Sequence, residues 1–130
     1  MIELEYIYFI IISYLLGSFP SAILVGKLFY NIDVREFGSG NAGATNTFRV
    51  LGKKAGLPVL FFDVFKGFIS VNLIVFLDII PYSMDGVFEL QLTFGIAAVI
   101  GHLFPVFTGF RGGKGIATLL GILIAIHPFA

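Results

Sequence analysis

The chain has 130 residues, of which 58% are hydrophobic and only 12% charged, with 16 Gly, 16 Phe and no Cys. A soluble domain of this size carries roughly twice that share of charge, and the mean hydropathy of +1.00 points the same way, to an integral membrane protein. This composition excludes a disordered chain, a nucleic-acid binder with a basic field, a disulfide-stapled module and any Cys-based nucleophile or metal site. Eight basic and eight acidic residues cancel to zero net charge, so their placement carries the information.

From Tyr6 to Gly26 no residue carries a formal charge, and the run is long enough to cross a hydrocarbon core of roughly 30 Å. Glu3 and Glu5 precede it in place of the basic residues of a signal peptide, so an uncleaved anchor is expected. Ser13, Gly17 and Ser21, and likewise Ser18, Ala22 and Gly26, give it a face of small residues on which another helix can pack closely. Pro20 is expected to kink it. Further spans are expected over Leu57 to Leu77, Leu90 to Phe110 and Ile116 to Ala130, the last barely long enough to cross. The fold class is thus all-α: one polytopic transmembrane bundle over residues 1–130, with three complete spans and a fourth at the C-terminus.

The segment from Lys27 to Gly56 holds Lys27, Arg35, Arg49, Lys53 and Lys54, and the short loop from Arg111 to Gly115 holds Arg111 and Lys114. Between them the stretch from Asp78 to Glu89 has three acids and no base. The asymmetry predicts an N-terminus outside and both basic loops in the cytoplasm.

The first basic loop reads Gly38-Ser39-Gly40-Asn41-Ala42-Gly43-Ala44-Thr45-Asn46-Thr47-Phe48-Arg49. Its glycines satisfy G-x-G-x-x-G, with Asp63 at the spacing of a ribose-binding acid, but that fingerprint requires a preceding strand and here a membrane span stands in its place. The physics of the glycines survives. They let backbone N–H groups converge on an anion, Asn41 or Thr45 can cap a short helix aimed at it, and Arg49 adds a fork of donors suited to phosphate. The plain alternative is a polar connector at the membrane surface.

The second loop, Gly112-Gly113-Lys114-Gly115, resembles a P-loop without its spacing or its Ser/Thr after Lys, which argues against nucleotide hydrolysis. It reads either as a phosphate cradle or as a tight turn whose cations flank the membrane.

Asp63 and Lys66 lie about 9 Å and about 14 Å along the second span if it begins at Leu57. Ions at that depth are costly unless paired, so both should face the bundle interior, either paired only with each other or extending a polar cavity. His102 near the end of the third span reads as a hydrogen-bonded packing residue or as part of that cavity. No cluster has metal-ligand spacing, so no metal and no cofactor is expected.

Two anion cradles on one membrane face suit a reaction between two phosphate-bearing molecules in which positioning and charge stabilisation supply the catalysis. The runs Leu15-Leu16-Gly17-Ser18, Gly38 to Asn46 with Arg49, Leu51-Gly52-Lys53-Lys54, Asp63-Val64-Phe65-Lys66-Gly67, Gly101 to Val106 and Gly112 to Thr118 together resemble the bacterial acyl-phosphate:glycerol-3-phosphate acyltransferases, the PlsY family. The resemblance covers essentially the whole chain in order. It implies transfer of a fatty acyl group from acyl phosphate to the 1-hydroxyl of glycerol 3-phosphate, giving 1-acylglycerol 3-phosphate and phosphate for phospholipid synthesis, at the cytoplasmic face of the bacterial inner membrane. It further implies Ser39, Arg49 and Lys114 as catalytic residues, with Gly38, Gly40, Asn41, Thr45, Asn46, Gly112, Gly113 and Gly115 contacting substrate. Ser39 has no neighbouring base in the sequence pattern, which suits an orienting role better than a nucleophile. The partners expected are the two substrates and membrane lipid, with no nucleic acid. Because the family continues into further spans and a third motif with a His-Arg pair and an Asn, the chain is expected to be a C-terminally truncated form. The alternatives are a non-catalytic relative that binds lipid phosphate or modulates a full-length enzyme, and a small anion transporter.

Overall fold

A computed structural model describes residues 4–78 and 83–127. Six α-helices are found among them: α1 Leu4–Gly17, α2 Ser21–Tyr30, α3 Ala44–Leu51, α4 Lys53–Asn72, α5 Met84–Leu103 and α6 Ile116–Ile126. Three stretches, Leu4–Tyr30, Lys53–Phe76 and Met84–Thr108, are long and apolar enough to cross a membrane, and Ile116–Ile126 is a shorter apolar helix. Large apolar side chains such as Ile11, Phe61, Phe65, Ile96 and Leu119 are exposed, which is the outward face that lipid requires.

The first span is broken rather than kinked. Pro20 has no N–H to offer a continuing helix, so α1 stops at Gly17 and α2 restarts at Ser21. At the break the Phe19 carbonyl lies outside the helical ladder and accepts from the Ser21 N–H at 3.0 Å and from Lys66 Nζ at 3.1 Å. The third helix is displaced from the expected 90–110. Ser83 caps it by accepting from the Gly86 N–H at 3.0 Å, Asp85 sits in its favourably polarised first turn, and Pro105 ends it by disfavouring helical backbone at Phe104. Asp85 and Glu89 therefore belong to the helix and not to an acidic loop. Of the expected fourth span, residues 128–130 lie outside the described residues, as do residues 79–82 of the acidic stretch.

Helix α1 packs on α5, and α4 on α6. Small residues make both contacts possible, as the four-residue repeats in the first span require. A side chain at Gly17 would run into the Ala98 backbone of α5, and one at Gly101 into the Tyr14 carbonyl of α1. Gly67 and Gly121 bring α4 and α6 together in the same way, against the Thr118 and Val64 carbonyls. Tyr14 Oη donates to the Phe104 carbonyl at 2.7 Å and ties the two ends that carry the loops.

Two apolar clusters lie at opposite ends of the bundle. Leu73, Ile74, Leu77, Leu90 and Phe94 pack with Tyr6 and Phe9 at one end, while Ala22, Val34 and Val59 pack under the loops at the other. Between them lie Asp63 and Lys66, both buried as their cost in lipid demands.

Replacement of Gly17 by Val should separate α1 from α5 and destabilise the detergent-solubilised protein by about 2 kcal/mol, as overpacking does. Thermal unfolding followed by circular dichroism measures this, with Lys53→Ala at an exposed site as the neutral reference.

Candidate active site

The loop between α2 and α3 is held by one residue. Asn46 is 2% exposed; its Oδ1 accepts from the Ser39 N–H at 2.9 Å while its Nδ2 donates to the carbonyls of Val34, Phe37 and Asn41 at 3.0, 3.1 and 3.0 Å. Its Nδ2 donors are engaged and its Oδ1 accepts one bond, so the residue shapes the loop. Gly38, at φ +57, lies so close to Asn46 Oδ1 that a side chain there would displace it.

This arrangement presents the start of α3 without a side-chain cap. Its N-cap is Gly43, and neither Asn41 nor Thr45 caps it, which corrects the expectation. The donors of the first turn are thus left for a ligand. Helix α6 begins the same way, on Gly115 at φ +82 with no side-chain cap.

Both helix starts open on one cavity of about 420 Å³. Ser39, Asn41, Thr45, Asn46 and Arg49 line it from the first loop and α3; Lys114, Gly115, Ile116 and Ala117 from the second loop and α6; Asp63 and His102 from the bundle. Leu60 and Leu120 give it an apolar wall. Gly38, Gly40, Gly112 and Gly113 are not among its lining residues.

The second loop works differently from a glycine nest. The Gly112 and Gly113 N–H groups are already spent, donating to the Leu103 and His102 carbonyls at 3.1 and 3.3 Å. A side chain at Gly112 would collide with the His102 carbonyl, so these glycines let the loop fold back against the end of α5. That fold-back sets Lys114 at the cavity and aims the start of α6 into it.

Arg49 and Lys114 carry full charges, and the two helix starts carry roughly half a charge each, all of one sign and facing one space. The combination is one that suits an anion. Ser39 Oγ accepts a long 3.4 Å hydrogen bond from the Asn41 N–H, and no hydrogen bond links it to a basic side chain among the described residues.

The family profile described as Glycerol-3-phosphate acyltransferase matches residues 7–130. The chain belongs to this family. It is 49% identical over 123 residues to the glycerol-3-phosphate acyltransferase of Staphylococcus saprophyticus, covering 92% of this chain and 59% of that one. With the Enterococcus faecalis protein of the same name it shares 50% identity over 121 residues, covering 92% and 52%. Two crystal structures of PlsY (YgiH), described as an integral membrane glycerol 3-phosphate acyltransferase, are also similar. The glycerol 3-phosphate form gives a TM-score of 0.80 at 42% identity, and the lysophosphatidic acid form 0.76 at 40%, each covering 95% of this chain and 58% of that one. The chain thus spans somewhat over half the length of the relatives it matches.

One residue that braces the site from outside the cavity lining had no chemical role in the sequence pattern. Arg35 was only a charge that set topology, yet it joins the two loops. Its Nη1 donates to the Thr108 carbonyl at 2.7 Å and the Arg111 carbonyl at 3.1 Å, while Nε and Nη2 grip Asp33 at 2.8 to 3.2 Å. Asp33 in turn accepts from the Arg35 N–H at 3.0 Å and caps the short turn Val34–Glu36. The signal available was an acid two residues before an arginine, in a loop with no other acid–base pair at that spacing. The Arg35 guanidinium, by hydrogen bonding first and charge second, holds the Asp33 carboxyl below its ordinary value, and Asp33 holds Arg35 above its own.

Arg35→Lys keeps the charge and loses the fork, so amide hydrogen exchange over residues 105–112 should quicken several-fold. Because the folded-state value of Asp33 is depressed, its contribution is fully present at neutral pH and lost only as pH falls through that lowered value. Protection of the loop in the unsubstituted protein should therefore be flat between roughly pH 5 and 8.

Proposed function

We propose that this cavity binds the phosphate groups of glycerol 3-phosphate and of an acyl phosphate, and that the protein transfers the fatty acyl group to the 1-hydroxyl of glycerol 3-phosphate, releasing 1-acylglycerol 3-phosphate and inorganic phosphate. The observation that carries this reading is the meeting of Arg49, Lys114 and the uncapped starts of α3 and α6 around one space, in a chain of the glycerol-3-phosphate acyltransferase family.

The chemistry asks little beyond this. The acceptor oxygen bonds to the acyl carbon and gives up its proton, the bond from that carbon to the phosphate oxygen breaks, and the departing phosphate gathers the negative charge and takes the proton, leaving as hydrogen phosphate. Lys114 with the start of α6 suits the acceptor's phosphate. Arg49 with the start of α3 suits the charge that grows on the leaving group, where a preformed donor does most for the rate. Ser39 suits orientation by hydrogen bonding better than attack as a nucleophile, since no base is hydrogen-bonded to it among the described residues.

The apolar groove formed by Ile12, Leu15, Leu16, Phe19, Phe62, Phe65, Lys66 and Ile69 faces outward on the same bundle, and it supports a lipid-embedded protein. The basic loops support a cytoplasmic active face with the N-terminus outside, and the resemblance to the bacterial family supports the inner membrane.

Two measurements test this. In detergent with palmitoyl phosphate and glycerol 3-phosphate, phosphate release should be abolished, by at least 10²-fold, in Lys114→Ala and Arg49→Ala; release that survives both substitutions contradicts the assignment. The chain has no Cys, so single cysteines at Lys54 and Asp85 report sidedness. A membrane-impermeant maleimide added outside intact cells should label the cysteine at 85 and spare the one at 54.

A further inference from the structure

The buried end of the cavity is not accounted for by phosphate binding. Asp63 is 1% exposed and His102 6%, both line the cavity, and yet Asp63 Oδ2 and His102 Nδ1 have no hydrogen-bond partner among the described residues. The buried hydroxyls of Ser13, Ser18, Thr108 and Thr118 also lack a partner among the described residues, but none of these four lines the cavity. A histidine that served packing alone would have its ring nitrogens satisfied, because a buried unpaired polar group is costly.

Asp63 Oδ1 is already used. It accepts from Ser21 Oγ at 2.6 Å and faces Lys66 Nζ at 3.2 Å. His102 Nδ1 stands 3.9 Å from that same oxygen, about 1 Å longer than a hydrogen bond. A small turn of ring or carboxylate closes this gap and puts the imidazole proton on Nδ1, which leaves Nε2 as an acceptor. Nε2 lies where the two loops meet. A side chain on Gly113 would strike it, with the Ala42 carbonyl beside it, and Lys114 is the next residue.

We propose that His102, oriented by Asp63, recognises a hydroxyl of the acceptor. With the phosphate held on the Arg49 and Lys114 side, the hydroxyl donates to His102 Nε2, so the cavity selects phosphorylated polyols over phosphate esters that lack a free hydroxyl. The inference rests on the reading of the cavity as a phosphate site. Asp63 acts as a positioning residue, and Lys66 keeps its charge from opposing the phosphate.

Binding decides this without turnover. The purified chain in lipid nanodiscs is titrated with inorganic phosphate, propyl phosphate and glycerol 3-phosphate. Glycerol 3-phosphate should bind about tenfold tighter than propyl phosphate, the worth of one hydrogen bond to a buried acceptor. His102→Leu should bring that ratio close to one while leaving propyl phosphate affinity within about twofold. His102→Gln, which keeps an acceptor oxygen, should retain part of the preference, and Asp63→Asn should reduce it. Should Asp63→Asn not fold, the Leu and Gln variants at 102 decide the matter. A ratio near one in the unsubstituted protein, or a parallel loss of all three ligands in His102→Leu, overturns the proposal, the second outcome identifying a structural histidine. Phosphate binding with a ratio indifferent to residue 102 overturns it alone. Absence of binding for all three ligands overturns it together with the phosphate reading beneath it.

Discussion

Lys66 sets the frame for the rest of the structure. A lysine buried in a membrane bundle must find several partners or not ionise, and here its ammonium has two: the Asp63 carboxylate and the Phe19 carbonyl. The second exists because Pro20 interrupts the first span and leaves that carbonyl outside any helical ladder. Asp63 is stitched to the same break by Ser21, the first residue of α2. One ion pair therefore fixes the height of the α1–α2 junction against α4. Since α1 also packs on α5 through Gly17 and Gly101, it fixes the register of the central bundle. Replacing such a pair with apolar residues can leave a fold as stable or more so. What the geometry shows is a tie between the α1–α2 junction and one height on α4.

From that register the loops inherit their places. Tyr14 holds the end of α5 through Phe104, and the glycine turn folds back on the carbonyls of Leu103 and His102. Arg35 then spans from the first loop to the carbonyls of Thr108 and Arg111. Two helix starts that are far apart in sequence thus come to face one cavity with their donors unspent. Neither helix is capped by a side chain. Such caps favour an isolated helix by roughly 1 kcal/mol, so leaving them out keeps the first-turn donors available to an anion.

The sequence made the membrane class, the spans and the cations readable, because these depend on composition and on runs of apolar residues. The need for Asp63 and Lys66 to face inward was equally readable, from cost alone. The roles of the glycines were less so. Gly112 and Gly113 read either as a nest of donors or as a tight turn, and only the structure shows their N–H groups closing onto α5, since nothing local shows which carbonyl lies across a loop. The part Asn46 plays in holding the loop was not readable, because its partners at Val34 and Phe37 come from a turn whose path no pattern specifies. Arg35 was missed for the same reason: two of its acceptors lie 73 and 76 residues away and are backbone atoms, on which side-chain identity is silent. Pro20 predicted a disturbance correctly in place but not in degree, because the size of the break depends on whether a partner such as Lys66 rewards the freed carbonyl.

The ion pair also bears on the electrostatics of the proposed site. A carboxylate at the floor of a cavity meant for phosphates would oppose them if it stood alone. At 3.2 Å from Lys66 Nζ, Asp63 is neutralised at the distance of a ligand, while its second oxygen stays free for a local contact. Opposite charges so close are worth a few kcal/mol even at an effective dielectric near 20, yet as a dipole their field falls away faster than that of a single charge. The cavity is thereby positive at its open side, where Arg49 and Lys114 stand exposed, and locally accepting at its closed end. A molecule with a phosphate at one end and hydroxyls at the other matches that polarity. A molecule that is all phosphate matches only half of it.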